Sequence, residues 1–246
     1  MNNSCLLSNG RIIISTNFGE IYQESRFGEA CYPKQYTINE SFTYQLELDK
    51  ENDDGTPTPK EEEESRKSLS SYHKLSNIHR HPCLLKITAF CCSPFNPDLF
   101  LVGYDNSIVA LYSSLYSNSL YEWKVSTSSS KKNDGICQIC WSKDRPFVFF
   151  ILCKSNILHI FDLLESEIDP LYSCVLSCET AKDSSELAIT SVAISKSESK
   201  EYTCSILSVG WSNGSVILYK LREDLTEMVI DEEEKFNEQF KNIDSI

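Results

Sequence analysis

Pairs of short apolar strands around a polar turn recur along this chain, and they constrain its fold more than any other feature. Leu99–Tyr112 reads LFLVGYDNSIVALY, and the same plan returns in Phe147–Leu163 and in Cys204–Leu221. Arg11–Ser25 is a fourth copy, with Gly19 at its turn. Short apolar runs separated by such turn residues are typical of β-hairpins.

A further apolar segment precedes three of these hairpins, in Leu84–Pro94, Gly135–Asp144 and Leu187–Ser197. Once an acidic stretch early in the chain is set aside, the hairpin turns follow one another at intervals of about fifty residues, which is a period of propeller repeats. A unit of three or four short strands at this period is typical of a β-propeller blade. We therefore predict an all-β fold that forms a partial β-propeller of about three to four blades.

Two segments between the hairpins are poor in apolar residues. Leu48–Ser71 is dense in charge, Pro and Ser, and Ser126–Gly135 is a shorter stretch of the same kind. Segments that bury little apolar surface do not offset the entropy cost of folding. We expect residues 41–78 to form an acidic, Ser-rich disordered insert and residues 126–134 to form a linker.

The composition of the chain changes after Leu221. Its last residues are acidic and carry apolar side chains at helical spacings, namely Leu225, Met228, Phe236, Phe240 and Ile243. We predict an acidic amphipathic helix over residues 222–246 that packs one face on the domain. The other predicted units are a first partial blade over residues 1–40 and further blades over residues 79–125, 135–178 and 179–221.

The charge of the chain narrows the choice of partners. A formal net charge of -13 argues against nucleic acid or an anionic membrane, because both attract basic surfaces. The longest apolar run, Phe147–Cys153, is far shorter than the ~20 residues that cross a bilayer, so we expect no membrane insertion. The N-terminus has no signal-peptide pattern and the 11 cysteines are odd in number, so we expect an intracellular protein with reduced thiols.

Cys137 and Cys140 form a C-x-x-C, a spacing that binds zinc when it lies on a turn. Here the flanking residues alternate as in a strand. Residues three apart in a strand point to opposite faces and lie about 10 Å apart, so one ion could not bind both thiolates. Cys91 and Cys92 are adjacent and also point to opposite faces of a strand, so they could not bind one zinc ion together. We expect buried structural thiols and no metal site.

Histidine is scarce in this sequence, which contains only His73, His79, His81 and His159. His79 and His81 could bind a metal with Cys83, but Pro82 stiffens this segment and no fourth ligand is near, so we expect a loop that enters a strand. A propeller hydrolase would need a central cluster of His and carboxylates, which four histidines do not favour. The sequence contains neither a G-x-S-x-G elbow nor a phosphate-binding glycine loop. We expect no enzyme activity and no cofactor.

Ile87–Ser114 follows the WD-repeat pattern of an apolar strand, a Ser-Pro turn, a second strand, a D-x-S turn and a third strand. Asp105 and Ser107 match the turn residues of that pattern. Tyr112 and Ser113 lie where Trp-Asp would close the repeat. The segment NPDLFLVG after the Ser-Pro turn resembles the dynein intermediate-chain subgroup of WD-repeat proteins.

The segment Cys137–Leu171, CQICWSKDRPFVFFILCKSNILHIFDLLESEIDPL, is similar to the closing blades of the WD-repeat intermediate chains of cytoplasmic dynein 2, the retrograde motor of intraflagellar transport. The resemblance covers most of Arg11–Leu221 outside the insert. The residues that it places at structural positions of the WD motif are Asp105, Ser107, Trp141, Arg145, Pro146, Asn156, Asp162, Asn213 and Gly214.

The resemblance implies a non-catalytic scaffold that binds the dynein 2 heavy chain, with companion intermediate and light chains as further partners. It implies a location in the cytoplasm, the cilium and the microtubule cytoskeleton. Four hairpins are too few for a seven-bladed ring, so we expect either the C-terminal half of a longer protein or a truncated gene product. A WD-repeat adaptor of another intracellular complex stays open as the alternative.

Overall fold

The computed structural model describes residues 4–16, 19–25, 33–38, 85–125, 134–178, 187–196 and 204–241. The predicted acidic insert lies outside the described residues, as does the linker apart from Asp134. The same is true of the candidate metal ligands His79, His81 and Cys83, and of His73.

The described chain forms four antiparallel sheets in which consecutive strands are neighbours. The first contains β1 (Ser4–Leu6), β2 (Arg11–Ser15), β3 (Ile21–Ser25) and β4 (Lys34–Tyr36). The second contains β5 (Ile87–Cys92), β6 (Leu99–Tyr104), β7 (Ile108–Ser113) and β8 (Tyr121–Lys124). The third contains β9 (Ile136–Trp141), β10 (Val148–Cys153), β11 (Ile157–Asp162) and β12 (Tyr172–Val175). The fourth contains β13 (Ile189–Lys196), β14 (Ser205–Trp211) and β15 (Val216–Lys220).

The predicted fold class is confirmed: the chain is mostly β, and its sheets of three or four strands stack as in a partial β-propeller. The sheets approach one another most closely along their first strands, where β1 lies near β5, β5 near β9, and β9 near β13. This convergence on one edge is the geometry of blades arranged around an axis.

The sheets stack because their central strands are apolar on both faces. Every residue of β6, β7 and β10 is buried. Side chains alternate between faces, so Phe100 of β6 packs towards the first sheet while Leu101 packs towards the third. Likewise Phe149 of β10 packs towards the second sheet and Phe150 towards the fourth. Burial of each such side chain contributes about 1.5–3 kcal/mol relative to exposure.

The first strands of the second, third and fourth sheets share an irregularity. The pairing register of β5, β9 and β13 shifts by one residue at the corresponding point of each strand, which marks a β-bulge. In β9 the bulge lies beside Cys137, and both Cys137 and Cys140 pack against the cluster between the third and fourth sheets. The expectation that these two cysteines face opposite sides is therefore wrong, because the bulge breaks the regular alternation of the strand.

The C-terminal helix is present but is shorter than the stretch for which it was predicted. A 3-10 turn covers Glu223–Leu225, and the α-helix α1 covers Glu232–Lys241. Met228 lies between them with 47% of its surface exposed, so it is not part of the packed face. Asp231 has a φ of 61°, a left-handed conformation that a continuous helix does not contain. Ile243 lies outside the described residues.

Candidate functional site

Each hairpin turn holds one residue in the left-handed region of φ, at the same position of the repeat. These residues are Gly19, Ser107, Asn156 and Gly214, with φ values of 82°, 66°, 63° and 85°. Glycine adopts this conformation without strain, and Asn accepts it better than most other residues. The recurrence shows that four segments of different sequence build the same turn.

In the first three sheets this turn residue contacts the next sheet. Ser107 Oγ donates a hydrogen bond of 2.6 Å to the carbonyl of Asp134, just before β9. Asn156 Nδ2 donates to the carbonyl of Leu187 at 2.7 Å, and its Oδ1 accepts from the N–H of Ile189 at 3.0 Å. At Gly19 an added Cβ would overlap the carbonyl of Leu85. The turns therefore fasten each sheet to the strand that begins the next one.

Asp134 was not predicted from the sequence, although it connects two turns. Its carbonyl accepts the bond from Ser107, and its carboxylate accepts bonds from the N–H and the hydroxyl of Ser155. The side chain is 8% exposed. The only signal in the sequence was its position one residue before Gly135 at the start of the third repeat.

The turn residues Asp105 and Asn213 have local contacts. The main-chain N–H of Asp105 donates to the carbonyl of Lys86 at 3.0 Å. Asn213 Oδ1 accepts from the N–H and the hydroxyl of Ser215, at 3.0 and 2.6 Å. No atom of the described residues lies within 4 Å of a Cβ added to Gly214, because no described sheet follows the fourth.

Arg145 is the centre of a buried ion network. Its Nη1 lies 2.7 Å from Asp162 Oδ2, and its Nε lies 3.0 Å from Glu232 Oε2. Nη1 also donates to the carbonyl of Asp224 at 2.6 Å. The three charged side chains are no more than 4% exposed. A planar guanidinium can satisfy several acceptors at once, so Arg145 joins the third sheet to the C-terminal segment at two points.

Trp141 and Pro146 position the loop that carries Arg145. Trp141 Nε1 donates to the carbonyl of Pro146 at 2.8 Å. Ser142 Oγ accepts from the N–H groups of Asp144 and Arg145, at 3.1 and 3.2 Å. These bonds close a tight turn between β9 and β10 and direct the guanidinium towards Asp162.

Helix α1 fills an aromatic groove between the second and third sheets. Phe236 is fully buried and packs edge-on against Phe147, with 5.1 Å between ring centroids, and against Trp141 at 6.4 Å. Phe240 packs on Tyr121 of β8 at 6.4 Å. Glu232, at the start of the helix, accepts from the N–H of Val229 at 2.8 Å and from Arg145.

The role of Glu232 was not predicted from the sequence. A carboxylate three residues after the start of a helical turn is a capping signal, but the sequence offers three consecutive glutamates, Glu232–Glu234. The bonds from Arg145 and from the N–H of Val229 distinguish Glu232 from its two exposed neighbours.

His159 is a buried imidazole on β11, with 3% of its surface exposed. Its Nδ1 lies 2.7 Å from Ser173 Oγ on the neighbouring strand, and Nε2 has no hydrogen-bond partner among the described residues. Burial lowers the pKa of His159, and the carboxylate of Asp134 partly opposes this effect. Ser173 is exposed on the outermost strand of its sheet. The contact between His159 and Ser173 therefore joins the neighbouring strands β11 and β12.

Two further properties follow from the described residues. Within the described ranges, no three His, Cys, Asp or Glu side chains are grouped so that they could hold a metal ion. None of the helices in the described part of the chain has the length and apolar character needed to cross a membrane.

No family model matches the chain. Over 148 residues, 60% of this chain, it is 24% identical to cytoplasmic dynein 2 intermediate chain 1 of Mus musculus. Over 108 residues, 44% of this chain, it is 28% identical to the Homo sapiens protein of the same name. The chain spans 14% and 10% of the length of these two curated relatives. The resemblance noted in the sequence is thus confirmed, and this chain is similar to part of a dynein 2 intermediate chain.

Proposed function

We propose that this chain acts as a non-catalytic WD-repeat scaffold of the cytoplasmic dynein 2 motor. In this role it binds the dynein heavy chain for retrograde intraflagellar transport and cilium assembly, beside companion intermediate and light chains. The single observation that carries the proposal is the similarity to cytoplasmic dynein 2 intermediate chain 1 over 60% of the chain. The proposed location is the cytoplasm, the cilium and the microtubule cytoskeleton.

The fold supports a scaffold role because its sheets are fixed to one another. Continuous clusters of buried side chains separate successive sheets, and the turn residues bond across the same interfaces. A stack of this kind presents loops and hairpin ends at its rims in fixed relative positions. We propose these rims as the binding surface and the nine WD-motif residues as the structural positions that hold it.

The charge of the chain supports a protein partner with a basic surface. The formal net charge is -13, and electrostatic complementarity raises association rates and excludes partners of like charge. We therefore expect binding to weaken as the salt concentration rises.

Co-purification of the full chain with the tail of the dynein 2 heavy chain tests the proposal. We expect the two to elute together in size-exclusion chromatography at low salt, while the tail of a heavy chain from an axonemal dynein serves as the control and does not co-elute. A chain that is folded by circular dichroism but does not bind the dynein 2 tail contradicts the proposal. That result would favour the alternative, an adaptor of another intracellular complex.

A further inference from the structure

Two cysteines meet where the first sheet touches the second. Cys5 lies in β1 and Cys92 ends β5, and these two strands approach each other at the converging edge of the sheets. Both side chains are partly buried against the cluster between these sheets. The thiol of Cys92 donates to the carbonyl of Leu6, the residue after Cys5, at 3.8 Å, and the thiols of Cys5 and Cys92 are close enough for each to shift the pKa of the other.

The two thiols differ in acidity because each lies beside the other. The neighbouring thiol of Cys5 lowers the pKa of Cys92, although burial acts in the opposite direction. The thiol of Cys92, together with burial, raises the pKa of Cys5. Cys92 is therefore the better nucleophile of the pair, since the thiolate is the reactive form.

Neighbouring thiols on the first strands lack this activation. Burial raises the pKa of Cys91 to about 12 and that of Cys140 to about 11. Cys91 accepts a hydrogen bond from the N–H of Trp141 at 3.2 Å, on the side of β5 that faces the third sheet. Cys91 and Cys92 are thus adjacent in sequence but belong to different interfaces.

We propose that Cys5 and Cys92 form a reversible disulfide between the first and second sheets when the protein meets a hydroperoxide. The Cys92 thiolate attacks the outer oxygen of hydrogen peroxide, the O–O bond breaks, and hydroxide leaves, so that Cys92 becomes a sulfenic acid. The thiol of Cys5 then attacks the sulfenic sulfur and forms the S–S bond. The sulfenic oxygen leaves as water with the proton of Cys5. Peroxide is reduced by two electrons and the two thiols are oxidised by two electrons.

The bond would fasten the first sheet to the rest of the molecule. β1 is the first strand of its sheet and pairs with only one neighbour, β2. A covalent link from β1 to β5 closes a loop that contains the acidic insert and restricts the unfolded chain. Reduction by a dithiol such as dithiothreitol reverses the link by thiol–disulfide exchange.

The test begins with the unmodified full chain. It is treated with hydrogen peroxide in slight molar excess, alkylated, digested without reduction and analysed by mass spectrometry. We expect a cross-link between the peptide of Cys5 and the peptide of Cys92, and a fall in free thiols from 11 by two. Dithiothreitol should restore the original number. A chain that keeps all its thiols, or that joins other cysteines instead, overturns the proposal.

Adjacent substitutions give a matched control. Cys92→Ser should abolish the cross-link, whereas Cys91→Ser should leave it intact, because only Cys92 faces β1. The oxidised wild type should also show a higher midpoint of thermal unfolding than the reduced protein, and Cys92→Ser should show no such difference. A cross-link that survives Cys92→Ser, or that is lost in Cys91→Ser, contradicts the proposed disulfide between Cys5 and Cys92.

Discussion

Arg145 has two carboxylate partners that are almost shielded from water. Asp162 is 1% exposed and Glu232 is 1% exposed. A buried charge is costly to desolvate unless it is paired and hydrogen-bonded. The network therefore depends on all three members, and the guanidinium is the group that pairs with both carboxylates.

We predict that Arg145→Met destabilises the protein by roughly 3–5 kcal/mol, because two buried carboxylates lose their partner. Urea denaturation monitored by tryptophan fluorescence measures the change. Arg222→Met is the matched control. The guanidinium of Arg222 lies 3.1 Å from Asp224 but is 69% exposed, and such pairs contribute at most about 1 kcal/mol. Equal losses in the two variants would contradict the buried network.

His159 makes stability depend on pH. Its pKa is lowered in the folded protein, whereas the unfolded chain has a pKa near 6.5. The unfolded state therefore binds the proton more tightly, so protonation favours unfolding. The contribution of His159 to the unfolding free energy is fully present above about pH 6.5. It is lost as the pH falls through that value towards the lower pKa of the folded state.

We predict that His159→Asn flattens the loss of unfolding free energy between about pH 7.5 and pH 5.5, the window around the unfolded pKa of histidine. Asn keeps a polar atom near Ser173 and removes the titrating ring. The measurement is a series of urea denaturation curves across this window. If the variant loses stability with the same slope as the wild type, His159 is not the titrating group.

At the scale of elements, the same type of hairpin turn occurs both at a contact between sheets and at a free surface of the described stack. Gly19 and Gly214 have nearly the same φ, 82° and 85°, and both end a β-hairpin turn. Gly19 abuts the carbonyl of Leu85, two residues before the first strand of the next sheet, while Gly214 faces open space among the described residues. A substitution at Gly214 therefore measures the free-energy cost of the backbone conformation alone. A substitution at Gly19 measures that cost together with the cost of disturbing the contact between two sheets.

We predict that Gly214→Ala costs about 1–2 kcal/mol, the strain of a left-handed residue with a side chain. Gly19→Ala should cost at least a further ~1–3 kcal/mol, as expected when a tight interface is overpacked. Thermal unfolding of the two variants side by side measures the difference. Similar melting temperatures would show that the turn of the first sheet does not pack on the second.

Helix α1 is the element whose position depends most on other elements. Its packed face holds Phe236, which is fully buried, and Phe240, which is 6% exposed. The rest of its sequence is acidic and polar. A helix of this length is marginal in isolation, so the aromatic groove and Arg145 hold it in place.

We predict that Phe236→Ala destabilises the docked helix by about 3–5 kcal/mol, as for other buried aromatic side chains. Limited trypsin digestion should then cleave after Lys235 faster than in the wild type. Ile230→Ala is the control, because Ile230 is 82% exposed and should leave the rate unchanged. Unchanged cleavage in Phe236→Ala would show that the groove does not hold the helix.

At the scale of the whole molecule, both ends of the described stack expose apolar sheet faces. Leu6 and Ile14 are 56% and 41% exposed on the first sheet. Val216 and Leu218 are 65% and 62% exposed on β15, which is also an edge of the fourth sheet among the described strands. Exposed apolar faces and free edges promote association.

We predict that the chain self-associates as its concentration rises, and that the double substitution Val216→Lys with Leu218→Lys reduces this association. Charged residues on an edge strand oppose further pairing. Because both positions are exposed, the unfolding free energy should change by less than about 0.5 kcal/mol per site. Sedimentation velocity across a concentration series measures the effect. A wild type that stays monomeric at all concentrations would contradict the prediction.

The sequence by itself determined the sheets. Alternation of apolar residues and turn residues at fixed offsets are local properties that can be read from neighbouring positions, and a repeat of about fifty residues can be read along the chain. They were sufficient to predict the hairpins around Ser107 and Asn156, the buried strand β10 and an aromatic face on the C-terminal helix.

Tertiary structure alone decided the contacts between units. Arg145 and Glu232 are far apart in sequence, and nothing local selects Glu232 from three successive glutamates. The bulge beside Cys137 depends on pairing with β10, so a rule for regular strands placed that side chain on the wrong face. The approach of Cys5 to Cys92 likewise exists only where two sheets converge. Local patterns fix which backbone a segment adopts, whereas partners across an interface depend on how whole sheets pack.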